Sequence, residues 1–407
     1  MRKNSLKFRE VKEKVKERET IEDLAKKGAQ EMLRKALEAE VDGYLERERH
    51  RRSCCHRGYR NGYGKERHLS FCGGTIPVRV PRVSDVPQGQ ESFEPAVVQR
   101  YQRRSPMLDR QFRDLYREGL ATRDFEPCFR LLLGETATLS PSTISRLTKE
   151  YQKEFEEFLK RDLSSERFYY LWADGIYLAA GQEDEKTALL VVMGVNEDGE
   201  KVLLGMREGY RESTESWKEL LRDLKKRGLN TAALAVADGS LGFWGALSEI
   251  YPETRHQRCL KHKWVNVLDK LPKAKQKEAL SHLREIYQAR SRKEAVALTG
   301  KLAAQWKARY PRASECLTKD IEAMFTYFDF PKQHWIHLKT SNPIESAFAP
   351  VRLRTNAAKR LRTATGALYL VYKLIDRYSR SWRRINAPEK LQEVRLAGEE
   401  RILTKAA

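Results

Sequence analysis

Apolar and polar positions follow two different periods along this chain, and the change between them divides it. In the first 160 residues the apolar positions recur mostly at helical spacing. Leu33, Leu37, Val41 and Tyr44-Leu45 make one stripe. Thr20-Ile21-Glu22-Asp23 opens it with the pattern of a capping box, and a charged run over 46–52 closes it. Gly58-Tyr59-Arg60-Asn61-Gly62-Tyr63 reads as turn-rich, and Thr75-Ile76-Pro77-Val78-Arg79-Val80-Pro81-Arg82 reads as one strand bounded by prolines. Three helices are expected over 105–160. Met107, Leu108, Phe112, Leu115 and Tyr116 mark the first, which Gly119 ends. The second runs from Thr122 as cap to Leu133, before Gly134. The third opens at Ser140-Pro141, with Ile144, Leu147, Tyr151, Phe155 and Leu159 facing inward.

From Phe168 the pattern becomes α/β. Phe168-Tyr169-Tyr170-Leu171-Trp172-Ala173-Asp174-Gly175-Ile176-Tyr177-Leu178 reads as a strand buried on both faces. Strands over 187–194 and 201–206 follow, separated by the turn Asn196-Glu197-Asp198-Gly199. Then come an amphipathic helix from about Thr214 to Arg227 and a fourth strand, Ala232–Ala237. Three successive strands, a crossover helix and a further strand predict a mixed sheet with helices on its faces. Residues 263–330 carry helical spacing with no strand signal, as an all-helical insertion would. Ser341-Asn342-Pro343-Ile344-Glu345 opens a new helix, with Asn342 as expected cap and Pro343 at its first position.

One carboxylate, Asp174, stands in the middle of the buried strand, and no Lys or Arg lies between Phe168 and Ala180. A buried carboxylate is costly unless a donor, a cation or a metal meets it. Asp238 repeats the arrangement at the end of the fourth strand, where open α/β sheets bind ligands. Each aspartate alone could as well be a helix cap. Two on neighbouring strands repel each other, which favours a shared cation. Glu345 fits as a third ligand from a later helix, although its position in the capping pattern explains it equally. Three carboxylates suit Mg²⁺, which takes hard oxygen ligands. Two such ions about 3.5–4 Å apart serve phosphoryl transfer.

Charge points to the substrate. The 407 residues hold 78 Lys and Arg against 57 Asp and Glu, a net charge of +21, which implies a polyanionic partner. On such a chain the phosphodiester would be DNA or RNA. Ser142, Arg146 and Lys149, on the outer face of the third helix, are laid out as on a recognition helix, although ordinary helical packing accounts for the segment as well. Arg352, Arg354, Lys359 and Arg362 follow the helix of Glu345 and are candidate backbone contacts; a solvated helix face is the plainer account. Six cysteines make no disulfide framework. Cys54, Cys55, His56, His68 and Cys72 crowd one region without the usual zinc spacing. Cys259-Leu260-Lys261-His262 is half of a zinc pattern with no clean second half, so Cys259 and His262 are read as a polar pair supporting the active site. The charged N-terminus lacks an apolar leader and no run of 18 apolar residues occurs, as expected of a soluble cytoplasmic protein.

Together these motifs resemble the Mutator-type transposases of bacterial insertion sequences, within the DDE/RNase H-like superfamily. The resemblance rests on Gly58-Tyr59-Arg60-Asn61-Gly62, Ser140-Pro141-Ser142-Thr143-Ile144-Ser145, Trp172-Ala173-Asp174-Gly175 and Ala237-Asp238-Gly239. Further on it takes in Gln257-Arg258-Cys259 with His262, Thr340 to Glu345, and Val351-Arg352-Leu353-Arg354-Thr355. Each is weak alone, but they stand in the family's order. After Arg354-Thr355 the family often continues Thr-Lys-Gly, where this chain has Ala358-Lys359-Arg360.

The resemblance implies an α/β RNase H-like catalytic core with an all-helical insertion, preceded by a mainly helical DNA-binding region. The corresponding division is 1–104 for the N-terminal helix and turn-rich or strand region, and 105–160 for a helix-turn-helix-like region. The core would occupy 165–262, the insertion 263–335, and the last core helix with basic helices 336–407. Asp174, Asp238 and Glu345 would be the catalytic and metal-holding triad, loaded with two Mg²⁺ ions, with Mn²⁺ as a substitute. Its partners would be double-stranded DNA, as terminal inverted repeats and target, and further copies of the chain in a homodimer or larger assembly. Such a protein works in the bacterial cytoplasm, at the nucleoid. A domesticated or catalytically silent relative that only binds DNA is the competing expectation.

Overall fold

The computed structural model describes residues 20–47, 57–118, 120, 124–134, 137, 139, 143, 146, 148–180, 186–209, 212–239, 241–357, 361 and 363–406. The chain forms two compact units, Met1–Lys149 and Glu150–Ala407.

In the N-terminal unit, helix α1 (Ile21–Leu45) starts where the sequence places it. Thr20 accepts from Asp23 N, and the Asp23 side chain returns to the Thr20 backbone. Its face bearing Leu37 packs with Leu69, Ile76, Val78 and Val98. Two sequence readings need correction here. Tyr59–Tyr63, expected as turn, is strand β1 and pairs antiparallel with β4, Pro81–Ser84. Gly58 opens it at φ 109°, where a Cβ would come within 2.7 Å of Ser84 O, so a turn-forming residue starts a strand. The single strand expected over 75–82 is two: Gly74–Val78 (β3) pairs with Arg67–Phe71 (β2), while β4 belongs to the other pair. Apolar alternation alone does not reveal that a chain changes sheets. Helices α2 (Pro106–Glu118) and α3 (Phe125–Leu133) bury Leu108, Phe112, Phe125 and Phe129 together.

In the C-terminal unit, strands β5 (Phe168–Ala179), β6 (Lys186–Asn196), β7 (Lys201–Gly209), β8 (Leu234–Ala237) and β9 (Arg255–Arg258) form one sheet in the order β7-β6-β5-β8-β9. β5 lies at its centre, antiparallel to β6 and parallel to β8. The mixed sheet is the expected one, with an additional edge strand: β9 carries the polar sequence Arg-His-Gln-Arg and gives no hydrophobic signal. Helix α4 (Thr214–Lys226) makes the crossover. Ser213 caps it by accepting from Ser216 N, and Trp217, Leu220, Leu221 and Leu224 turn inward. Together with helix α5 (Leu241–Ile250) they bury one face of the sheet.

Beyond β9 the chain is helical: α6 (Leu260–Leu268), α7 (Lys273–Gln288), α8 (Arg292–Lys307), α9 (Pro311–Thr318) and α10 (Ile321–Met324). Gln257 ties this bundle to the sheet edge. Fully buried, it donates to Met324 O at 2.8 Å and accepts from Tyr327 N at 2.8 Å. The chain returns through short turns to α11 (Asn342–Ala357) and α12 (Ala364–Ser379). Tyr170, within β5, bonds His334 Nδ1 at 2.7 Å and so fixes the returning segment against the central strand. Among the described residues no helix is long and apolar enough to cross a membrane.

Candidate active site

The register of the sheet brings the two aspartates side by side. On parallel β5 and β8, Trp172 stands opposite Val236; two residues further along each chain come Asp174 and Asp238. Asp174 is half-buried and accepts from Gly175 N at 2.8 Å. Burial pushes its carboxyl up to about 7, and the charges of Asp238 and Glu212 push the same way, while His262 opposes them. All three acidic groups are therefore near enough to interact.

Glu345 arrives from beyond the helices that follow β9, through a chain of contacts rooted at β8. Cys259 N donates to Ala237 O at 2.8 Å, so Cys259 continues the pairing of β8 with β9 directly beside Asp238. Leu260 N then donates to Lys339 O at 3.0 Å. The buried Cys259 sulfur accepts from Ser341 N at 3.3 Å and lies 3.2 Å from Ser341 Oγ. Ser341 Oγ also lies 2.7 Å from Glu345 Oε1 and 3.3 Å from His262 Nδ1. The sequence predicts Asn342 as the helix cap. Instead Ser341 is the residue before α11, and its carbonyl accepts from Glu345 N at 3.0 Å. The difference matters because the buried serine, not the exposed asparagine, holds the glutamate.

Lys261 Nζ stands 2.8 Å from Glu345 Oε2 and His262 Nε2 3.8 Å from Oε1. Burial opposes ionisation of Glu345, but the hydrogen bonds from Lys261 and Ser341 and both nearby cations hold its carboxyl below the ordinary value. The hydrogen bond with Cys259 is the largest influence on His262; with the charges of Cys259, Glu345 and Asp238 it outweighs burial and raises the imidazole to about 9. Burial raises the Cys259 thiol, yet its bonds with His262 and Ser341 prevail and lower it. The raised value favours the protonated imidazole at neutral pH, beside Glu345 and within the influence of the Asp238 charge.

Asp174, Asp238, Glu345, Cys259 and His262 consequently belong to one neighbourhood. Ligand atoms of Cys259, His262 and Glu345 all lie within 4.8 Å of one another. A search for a second Cys or His after Cys259 could not find this grouping, since its third member is a carboxylate 83 residues past His262 (345 − 262). Sequence reading also passed over Ser341, Lys261 and Glu212. Lys261 lies inside the C-x₂-H pattern, and Ser341 inside the Thr340–Glu345 motif, so only their roles were illegible.

The DNA-contact candidates fare unevenly. Arg146 and Lys149 are exposed. Arg352 is exposed, its guanidinium 5.7 Å from the Phe348 ring centre. Arg354 is 6% exposed, on the inward face of α11 with Val351 and Thr355. Ser142, Lys359 and Arg362 lie outside the described residues, as do Cys54, Cys55, His56 and the expected caps Thr122 and Ser140. Among the described residues, no group of three metal-ligating side chains includes His68 or Cys72.

The family model for the Mutator family of transposases matches residues 1–385. The transposase for insertion sequence element IS6120 of Mycolicibacterium smegmatis is 46% identical over 281 residues, 69% of this chain and 87% of that protein. That of element IST2 of Acidithiobacillus ferrooxidans is 40% identical over 266 residues, 65% of this chain and 90% of that one. That of ISRM5 of Rhizobium meliloti is 32% identical over 367 residues, 89% and 90% of the two chains.

Proposed function

The chain belongs to the Mutator family of transposases, and we propose that it cleaves and joins DNA strands at the ends of an insertion sequence, using divalent metal held by Asp174, Asp238 and Glu345 in an RNase H-like core. One observation carries the reading: the register of β5 against β8 sets half-buried Asp174 alongside Asp238, where burial and the neighbouring charges push its carboxyl up. The folded chain bears the cost of crowding these carboxylates, and a cation among them would remove it. The donors are carboxylate oxygens, which fit a hard ion such as Mg²⁺, with Mn²⁺ able to replace it. Ions bound there would activate the attacking oxygen and stabilise the leaving one.

The chain's own residues do the rest. Ser341 fixes the Glu345 carboxylate through Oε1, and Cys259 holds Ser341 in turn through its sulfur. His262, protonated at neutral pH, offers positive charge next to the acidic groups, where an incoming phosphate needs it. The net charge of +21 draws the duplex in. Arg146 and Lys149 would read the terminal inverted repeats, and Arg352 would contact backbone phosphate. Homo-oligomers would bring two ends together.

The test is Asp174→Asn on DNA carrying the element's terminal repeats. Strand cleavage and transfer with Mg²⁺ should vanish while end binding stays within about two-fold, since phosphate contacts dominate affinity. Cleavage at the wild-type rate would refute the assignment. A wild-type protein that binds the repeats and never cuts them, with Mg²⁺ or Mn²⁺, would instead be a silent DNA-binding relative.

A further inference from the structure

The N-terminal unit holds one aromatic side chain where packing does not account for it. Val98 is buried with Leu37 and Leu69, and just after it the chain turns, with Gln102 N donating to Gln99 O at 3.0 Å. Tyr101, the third residue of that turn, has φ 64° and is 76% exposed. Glycine or asparagine suits such a position, because a left-handed backbone crowds a bulky side chain. The turn is nonetheless tied down from several directions. Gln102 Oε1 accepts from Gln99 N at 2.9 Å, and its Nε2 donates to Arg104 O at 3.0 Å. Ser70, in β2, donates its N–H to Arg103 O at 2.9 Å, and its carbonyl accepts from Ser105 N at 2.9 Å. The surroundings therefore impose the strain, and the ring that it carries stays in solvent.

The flanking charges indicate what such a ring could meet. The Arg100 guanidinium stands 5.1 Å from the Tyr101 ring centre, over one face, which leaves the other face for a ligand. Arg100 and Arg103 are exposed, and neither forms an ion pair with another described residue. Arg104, by contrast, is paired with Asp109 at 2.7 Å. Unpaired guanidiniums attract phosphate, and an exposed ring stacks on a base. In a duplex the faces of the bases are covered by their neighbours, so a ring at the tip of a turn reaches a base face only where a strand is unpaired. We propose that Tyr101 binds single-stranded DNA by stacking on a base while Arg100 and Arg103 contact the adjoining phosphates. The proposal rests on the reading that the chain acts on DNA, and it adds unpaired strand as a ligand of the N-terminal unit.

Fluorescence anisotropy of the full-length protein tests this, with a labelled oligo-dT of about 20 nucleotides and a duplex of about 20 base pairs, alongside thermal melting. Tyr101→Asn suits the left-handed backbone and removes the ring. It should melt no lower than wild type, yet bind oligo-dT about 5–150-fold more weakly with duplex affinity changed less than about three-fold. Tyr101→Phe, which keeps the ring, should match wild type on both ligands. Arg100→Gln combined with Arg103→Gln should reduce the salt slope on oligo-dT by about 1.4, at about 0.7 for each lost phosphate contact; an unchanged slope refutes the part given to the arginines. Oligo-dT affinity of Tyr101→Asn within about two-fold of wild type overturns the proposal. So does an equal loss on both ligands, which makes the ring a general surface contact, or a lower melting temperature, which makes it a packing residue. Wild type that binds neither ligand refutes the DNA reading as a whole. Wild type that binds both, with Tyr101→Asn its equal, refutes the stacking assignment alone.

Discussion

The hydroxyl of Ser341 donates to Glu345 Oε1 across 2.7 Å while its backbone N–H and the same hydroxyl both reach the sulfur of Cys259. The serine is fully buried, so these contacts are shielded from water. Cys259 is itself bonded through its N–H to Ala237, the residue before Asp238. One serine therefore transmits the position of a strand end to the first turn of a helix that is more than 100 residues later (345 − 238 = 107).

Ser341→Ala removes a hydrogen bond to a charged group, worth about 1.5–3 kcal/mol. If that bond holds Glu345 in its working position, metal-dependent cleavage should fall about 10–100-fold with repeat binding unchanged. Ser341→Thr, which keeps the hydroxyl, should recover part of the rate. Cleavage assays on one repeat-bearing duplex, with binding measured in parallel, decide it; equal rates for serine and alanine would remove Ser341 from the site.

The raised carboxyl of Asp174 makes a prediction about pH. Its folded value of about 7 lies above the ordinary 3.8, so the folded state holds the extra proton. The associated stability is complete below about pH 4 and is lost as pH rises through 7. Metal-free wild type should therefore lose more stability than Asp174→Asn between pH 5 and about pH 8, leaving the variant the higher-melting protein at the upper end. His262, raised to about 9, loses its contribution from about 6.5 upward in both proteins; Asp174 is not among its largest influences, so the main difference between them is the Asp174 proton. Since bound metal must displace the proton, Mg²⁺ should also raise the wild-type melting temperature more at pH 8 than at about pH 6. Parallel pH profiles for the two proteins would contradict the assignment.

Arg352 and Arg354 are two residues apart and should behave differently. Arg352→Ala should weaken DNA binding and reduce the slope of log K against log salt by about 0.9, the value for one lost phosphate contact. Arg354→Ala should instead lower the melting temperature, because the side chain is buried. An unchanged salt slope in Arg352→Ala would leave its guanidinium an ordinary solvated charge. The same measurement applied to Arg146→Ala and Lys149→Ala distinguishes end recognition from phosphate contact. Loss confined to the terminal repeat supports recognition, and equal loss on every sequence refutes it.

Cys259, His262 and Glu345 are close enough to hold a metal of their own, yet each already has polar partners within the protein. The purified protein should hold no stoichiometric zinc, and Cys259→Ser should reduce cleavage through Ser341 rather than through metal loss. Elemental analysis showing one zinc per chain, absent from Cys259→Ser, would make this a zinc site instead.

The sequence alone determined the elements whose signal is local. The capping box at Thr20, the apolar stripe of α4 and the long apolar run of β5 each lie within a short window, and burial follows directly from their period. It also determined that the two aspartates stand on neighbouring strands, Asp174 within one and Asp238 at the end of the other, because a strand, a crossover helix and a parallel strand have few ways to pack. The order of the motifs pointed to the family now matched over residues 1–385. What the tertiary structure decided was non-local or hidden by polarity. β9 is a strand because β8 supplies its hydrogen bonds; its own residues, Arg255 to Arg258, carry no apolar alternation. Glu212 comes to rest against β5 only because glycines on β5 and α5 leave it space. Arg354 turns inward by helix phase, which charge composition does not encode. Ser341, and not Asn342, holds Glu345 because β8 places the Cys259 sulfur beneath that serine, a contact between residues 82 apart. Hydrogen bonds of that span depend on packing of the whole unit, and no periodicity within either segment records them.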